Sequence, residues 1–217
     1  MARFAALALL LFAVVVHGEA GLQWEQTTIS VAADPADEEA KAVFRFTNDG
    51  ESDVTITRVD TTCGCTVPQL AKHTYAPGES GSLEVTFSFN SMVGKQAKNI
   101  NVATDSAETP WHVLTFEVDI PKLFELQRHF LVWRKGEEPV AKTLDLLVTR
   151  PDLARIVGVE SKNDRFTARI ESSDTPGRYL VVVTPASTSE VVQSSFIVNT
   201  DFPAQRPKVV TLYALVR

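Results

Sequence analysis

Strict alternation of apolar and polar residues, repeated in short runs, constrains this chain more than any other feature. Leu83-Glu84-Val85-Thr86-Phe87-Ser88-Phe89 and Leu114-Thr115-Phe116-Glu117-Val118-Asp119-Ile120 alternate without a break. A period of two sends successive side chains to opposite faces of a strand, one toward a core and the other toward water. Phe44 with Phe46, Val54 with Ile56, and Ile100 with Val102 repeat the pattern more briefly. Turn signals separate these runs: Asn48-Asp49-Gly50, which suits a hairpin, then Ala76-Pro77-Gly78-Glu79 and Ser91-Met92-Val93-Gly94. The one helix-friendly piece, from Pro35 to Ala40, is too short to stand alone. Strands at this spacing, joined by short turns, predict an all-β sandwich rather than βαβ units.

Beyond Pro121-Lys122 the style repeats. Strands are expected over 123–133, 142–149, 155–160, 166–171, 178–184, 193–198 and 208–217. Tyr179 to Val183 is apolar throughout, as a central strand buried on both faces would be. Asp174-Thr175-Pro176-Gly177 and Asp201-Phe202-Pro203 read as turns. The chain therefore divides into two sandwiches, 21–120 and 121–217, each of an ordinary domain size. No Gly/Ser linker separates them, so the domains are expected to abut with limited freedom.

The N-terminus points to export. Arg3 precedes an unbroken apolar run of thirteen residues from Phe4 to Val16, followed by Gly18-Glu19-Ala20. A charged start, a short apolar stretch and small residues at a cleavage site form a secretory signal peptide, over residues 1–20. Thirteen residues fall short of the roughly 20 that a spanning helix needs. No cysteine follows the run, which argues against a lipid-modified N-terminus. The mature protein is expected in the periplasm or outside the cell, with no transmembrane anchor. Cleavage removes Arg3 and Glu19 and leaves the net charge at −6. That acidity disfavours nucleic acid, which needs basic patches.

Cys63 and Cys65 are the only cysteines, in Val59-Asp60-Thr61-Thr62-Cys63-Gly64-Cys65-Thr66-Val67-Pro68. In an oxidising compartment so close a pair is the most specific chemical feature present. Residues i and i+2 of an ideal strand lie about 6.6 Å apart, near the ~6.8 Å upper limit for the Cα atoms of a disulfide. Gly64, lacking a Cβ, can bend the chain and shorten that gap, so a bond is feasible but strained. Closing a three-residue loop removes little unfolded-chain entropy, worth about 1.6 kcal/mol against ~3 for a fifteen-residue loop. As a stabiliser the bond is weak.

Three readings of the pair stand side by side: a local structural disulfide, a soft-metal site such as one for copper as Cu(I), and a redox-active dithiol. A closed zinc site would need two more ligands. His73 and His112 lie in the same domain, but neither shows ligand spacing, and surface imidazoles are the plainer reading. A redox thiol wants electropositive surroundings. Here Asp60 is near, and no Lys or Arg is closer in sequence than Arg58.

Phe44-Arg45-Phe46-Thr47-Asn48-Asp49-Gly50, the Thr62 to Pro68 turn, and Tyr75-Ala76-Pro77-Gly78-Glu79-Ser80-Gly81 with Leu83 to Phe87 occur in that order. Gly94-Lys95, Lys98, Ile100 and Val102 follow. Together these residues closely resemble the bacterial exported family called domain of unknown function 1573. Its Cys-Gly-Cys turn makes the match specific over about residues 40–105. The resemblance implies an immunoglobulin-like fold, similar to the modules of the major-sperm-protein and Hydin type, and export. It implies no established activity. Residues 121–217 resemble the family less clearly and look like the second sandwich that some members carry.

Familiar catalytic patterns are missing. Gly78-Glu79-Ser80-Gly81 lacks the spacing of a nucleophile elbow. There is no His-Glu-x-x-His pair, phosphate-cradling glycine loop or EF-hand. Trp111 and Trp133 are candidates for a binding surface, although a tryptophan in a sandwich is more often core. The sequence thus favours a non-catalytic binding or scaffold module of the cell envelope, without a cofactor, that meets another envelope protein through loops or an edge strand. The alternative is copper binding or disulfide exchange through Cys63 and Cys65.

Overall fold

The computed structural model describes residues 21–217. The proposed signal peptide, 1–20, lies outside the described residues. Among the described residues every helix or strand is a β-strand. The chain divides into two compact units. One takes in the described residues up to Val31 with Glu39–Ser88 and Ala97–Glu117; the other takes in Ala32–Glu38, Phe89–Gln96 and Val118–Arg217.

Nine strands lie wholly or mainly in the first unit: β1 (Leu22–Trp24), β2 (Thr28–Ala32), β3 (Glu39–Asn48), β4 (Val54–Thr61), β5 (Thr66–Leu70), β6 (Thr74–Tyr75), β7 (Ser80–Ser88), β8 (Gly94–Thr104) and β9 (Trp111–Ile120). They form a four-stranded sheet in the order β1-β3-β7-β5 and a five-stranded sheet in the order β2-β9-β8-β4-β6. The alternation seen in the sequence sets which face is buried. Phe44, Leu83, Phe87, Leu114 and Phe116 are fully enclosed. Antiparallel pairing of β3 with β7 places Phe44 opposite Leu83 and Phe46 opposite Gly81. Gly81 is required there because a Cβ would sit 2.4 Å from the Tyr75 ring and 2.6 Å from the Phe46 ring. Gly78 turns the chain before β7 with φ of 75°, which glycine adopts without steric cost.

The connection after Asn48 is not the hairpin that its sequence suggests. β3 and β4 lie in different sheets, so residues 49–53 cross the sandwich. The asparagine explains why. Asn48 is fully buried; its amide donates to Ser52 O and Tyr75 O, both at 2.8 Å, and its Oδ1 accepts from Gly50 N at 3.0 Å. A side chain that satisfies three backbone groups holds an arch where a two-residue hairpin would have needed strand pairing instead. The helix-friendly stretch is a turn at Pro35–Ala36 that leads into β3.

The second unit holds β10 (Phe124–Leu126), β11 (Phe130–Trp133), β12 (Lys142–Val148), β13 (Ile156–Ser161), β14 (Phe166–Ser172), β15 (Arg178–Pro185), β16 (Val192–Thr200) and β17 (Val209–Val216). Its two four-stranded sheets run β10-β12-β15-β14 and β11-β17-β16-β13. The core gathers Trp133, Leu146, Phe166, Val181, Phe196 and Leu212. β15 lies between β12 and β14, and Val181, Val182 and Val183 are all buried, as their unbroken apolar run predicts. The single strand expected over 123–133 is instead two. β10 pairs antiparallel with β12 and β11 pairs parallel with β17, in the opposite sheet. The exposed polar triplet Gln127-Arg128-His129 carries the chain across. No helix among the described residues is long and apolar enough to cross a membrane.

Candidate functional site

The Cys-Gly-Cys segment is the crossover from β4 to β5, and therefore from the five-stranded sheet to the four-stranded one. The chain leaves β4 at Thr61 and enters β5 at Thr66, so the two cysteines sit in a turn rather than in an extended strand. Their Cα atoms lie 5.3 Å apart and the sulfurs are bonded. The extended spacing that made the bond look strained does not apply, because the turn has already closed the gap.

Two threonines hold this turn. The Thr61 hydroxyl lies 3.0 Å from Cys63 O and 3.1 Å from Thr66 O, a donor shared between two carbonyls. Thr66 N donates back to Cys63 O at 3.3 Å, and Ser88 N of β7 donates to Cys65 O at 2.9 Å. Thr66 itself is buried, with its hydroxyl 3.5 Å from Cys63 Sγ and 3.9 Å from Cys65 Sγ. Both cysteines are half-buried and Gly64 is exposed, with open space where a Cβ would stand. Sequence reasoning centred on the cysteines misses this clamp, although threonines on either side of the turn are its signal.

The charges near the turn pair with each other. Arg58 meets Asp60 at 2.7 Å on the exposed face of β4. The guanidinium also lies over the Trp111 ring, 5.5 Å from its centroid. The two tryptophans raised as binding candidates separate cleanly. Trp111 is 58% exposed, beside Val113 at 56%, whereas Trp133 is fully buried. The phase of β9 explains the first: Leu114, Phe116 and Val118 point inward, so Trp111 and Val113 point outward.

His73 and His112 stand apart from the cysteine turn. His73 Nδ1 lies 3.2 Å from Ile56 O, and five residues of β4 from Ile56 to Thr61 span about 17 Å. His112, the second residue of β9, packs edge-on against Trp24, with ring centroids 6.0 Å apart. Among the described residues no three His, Cys, Asp or Glu side chains gather as a metal would require. Joined to each other, the two sulfurs offer no thiolate to a soft metal.

Burial pushes the His112 imidazole below its ordinary value of about 6.5. Its Nε2 and the Trp24 Nε1 are both buried without a hydrogen-bond partner, so the neutral ring is the form the fold accepts. Between the folded and unfolded pKa values the unfolded chain binds the proton that the native state refuses. Stability should therefore be full above about pH 6.5 and fall on acidification, by at most about 1.4 kcal/mol per pH unit from this group. Urea titrations of wild type and His112→Phe between pH 7.5 and pH 5 test this; the variant should show the shallower decline.

The family model described as "Protein of unknown function (DUF1573)" matches residues 22–120. No curated protein matches the chain in sequence. Among solved structures, the VesB protease of Vibrio cholerae is similar at 18% identity and a TM-score of 0.40, over 45% of this chain. The chain covers only 31% of that protease's length. The PapD-like domain 7 of human CEP192 is similar at 10% identity and a TM-score of 0.38, over 55% of this chain and 99% of that domain. The CupB2 chaperone of Pseudomonas aeruginosa is similar at 9% identity and a TM-score of 0.36, over 88% of this chain and 99% of the chaperone.

Proposed function

Taking residues 22–120 as a domain of that family of unknown function, we propose that the protein is an exported, non-catalytic binding module of the cell envelope. It meets another envelope protein through the outer face of β9. The exposed pair Trp111 and Val113, with Arg58 over the indole, carries this reading. Tryptophan and arginine are the residue types most often found at the energetic centre of protein interfaces. An indole already held by a cation loses less side-chain freedom on docking. The edge strand β5 is the weaker candidate, because Pro68 removes a backbone donor from it.

A photo-crosslinking residue in place of Val113, in cells that export the full chain, tests the proposal. One discrete protein adduct is expected, and it should disappear when Trp111→Ala is added. The same probe in place of Val191, which is 73% exposed in the second unit, should not give that adduct. No adduct at 113, or the same adducts at both positions, would overturn the reading.

A second reading, thiol chemistry at Cys63 and Cys65, is favoured by one observation. The buried Thr66 hydroxyl faces both sulfurs and is placed to donate to a thiolate at either. In exchange with a dithiol protein, its thiolate attacks one sulfur and the other leaves as thiolate. The partner's second thiol then closes its own disulfide and releases the reduced pair. Once reduced, the two thiolates would be the ligands for a soft ion such as Cu(I). Alkylation of the native protein under mild reductant, read by intact mass, decides between the readings. Labelling of both cysteines supports exchange; labelling only after denaturation and strong reduction leaves a structural bond. Cys63→Ser with Cys65→Ser should lower stability by about 2 kcal/mol or less, because the closed loop is so short. Denaturant melts of the oxidised wild type and the double variant measure it.

A further inference from the structure

The second unit carries a feature that the binding role proposed for β9 does not use. On the outer face of the β11-β17-β16-β13 sheet, Phe130, Tyr213 and Ser195 form a row across three strands, set by the register of β11 with β17 and of β17 with β16. Lys162 extends the row, since its backbone N–H bonds Ser195 O at 3.0 Å. A second row places Leu215 opposite Gln193, with the Asn163 amide donating to Gln193 O at 3.1 Å. Together these residues line a groove of about 570 Å³, within the range of small-ligand sites.

The groove has a direction. Phe130 and Tyr213 are 54% and 41% exposed and lie nearly parallel, 5.3 Å apart at 22°. Phe130 stacks on one face of the tyrosine ring, and the neighbour on Tyr213's other side across the sheet is Ser195, a small residue. Polar groups able to bond a ligand cluster at the far side: the Ser195 hydroxyl, the Gln193 amide and the Lys162 ammonium. Lys162 has no carboxylate partner among the described residues, so a cation stands open at one end in a protein of net charge −6.

We propose that this groove binds an acidic saccharide. The C–H face of a sugar ring stacks on the open face of Tyr213, its hydroxyls meet Ser195 and Gln193, and its carboxylate pairs with Lys162. An aromatic wall opposite amide, hydroxyl and ammonium donors suits a ligand with one apolar face and one anionic, hydroxylated edge. Two strand spacings from Tyr213 to Lys162 give an open stretch of about 10 Å, room for one sugar ring with its carboxylate. An extended peptide is the poorer occupant, because the backbone groups of β16 and β17 beneath the groove are taken by the ladder and leave no main-chain bonds for strand addition.

Calorimetric titration of the full protein with tetragalacturonic acid, and separately with neutral maltotetraose, tests this. The acidic tetrasaccharide should bind, and bind at least tenfold more tightly than the neutral one. Tyr213→Ala should weaken that binding at least tenfold, and Lys162→Gln should remove most of the preference for the acid. Lys162→Gln should keep the melting temperature of wild type, and Tyr213→Ala, which also loses the stack on Phe130, should still be folded at the titration temperature, both measured alongside. Trp111→Ala, on the first unit, should leave binding unchanged. The saccharide and the β9 interface fail independently, since one is read by calorimetry and the other by crosslinking at 113. No heat with tetragalacturonic acid, equal affinity for both sugars, or full binding by Tyr213→Ala would overturn the assignment. So would preferred binding of a soluble peptide of alternating Asp and Phe, which would make the groove a peptide site.

Discussion

Asn48→Ala should destabilise the first unit by about 3–5 kcal/mol, far more than the loss of one surface amide. The side chain is fully enclosed and serves Ser52 O, Tyr75 O and Gly50 N at once. Alanine leaves those three backbone groups without their partner, and two of the lost bonds, to Tyr75 O and Gly50 N, are buried where little water reaches. Each unmet buried group costs about 1–3 kcal/mol, whereas a hydrogen bond exchanged for one with water costs far less. The arch between β3 and β4 also loses the atom that organises it. Asn48→Asp separates hydrogen bonding from volume. It keeps an acceptor for Gly50 N but turns an oxygen toward two carbonyls. At neutral pH it should be at least as damaging as alanine, and it should recover in part on acidification, when the carboxyl regains a donor proton. Denaturant unfolding at several pH values measures both. A loss below about 1 kcal/mol for alanine would mean that water replaces the amide, and the arch would not depend on it.

Trp133→Ala should cost about 3–5 kcal/mol in the second unit, through the cavity it leaves. The indole is fully buried against Phe166, with centroids 5.9 Å apart, and Phe166 in turn meets Phe196 at 6.2 Å. Its Nε1–H donates to Val140 O at 2.9 Å, so truncation also removes that bond. The Lys142 ammonium lies 5.0 Å from the ring centroid while bonding Val132 O and Glu137, and it would lose the ring. Trp133→Phe retains most of the packing but not the hydrogen bond, and should cost clearly less than alanine. Calorimetric melting of the three proteins decides. Equal losses for alanine and phenylalanine would assign the tryptophan's role to its N–H rather than to its bulk.

Much of this molecule is legible from local chemistry. Alternation in 83–89 and 114–120 is a property of single strands, so it survives without knowledge of their neighbours and places Phe87 and Phe116 in a core. The same phase, carried outward, marks Trp111 and Val113 as exposed. What local pattern does not carry is which sheet a strand joins. Asn48-Asp49-Gly50 has hairpin chemistry, yet it bridges two sheets because Asn48 finds its partners in Ser52 and in Tyr75, the latter 27 residues away. The 123–133 run reads as one strand because apolar content continues across it, and only the competing partners β12 and β17 divide it.

The candidate sites divide in the same way. Cys63 and Cys65 stand out in sequence because oxidising chemistry and a one-residue spacing leave few roles for such a pair. Whether they meet depended on the crossover between sheets, which shortens their separation to 5.3 Å and sets Thr61 and Thr66 around them. His73 and His112 share a domain with the cysteines on paper, yet the folded strand β4 holds His73 far from the turn. The row from Phe130 to Lys162 sets Phe130 beside Tyr213 and Ser195 beside Lys162, residues far apart in the sequence. By itself the sequence determined the β-class, the inward face of each strand and the chemical oddity of the cysteine turn, since each follows from bonds and periodicities within a few residues. Tertiary structure alone decided sheet membership, the arch at Asn48 and the residues brought together across strands, because those depend on which distant backbone groups are free to pair.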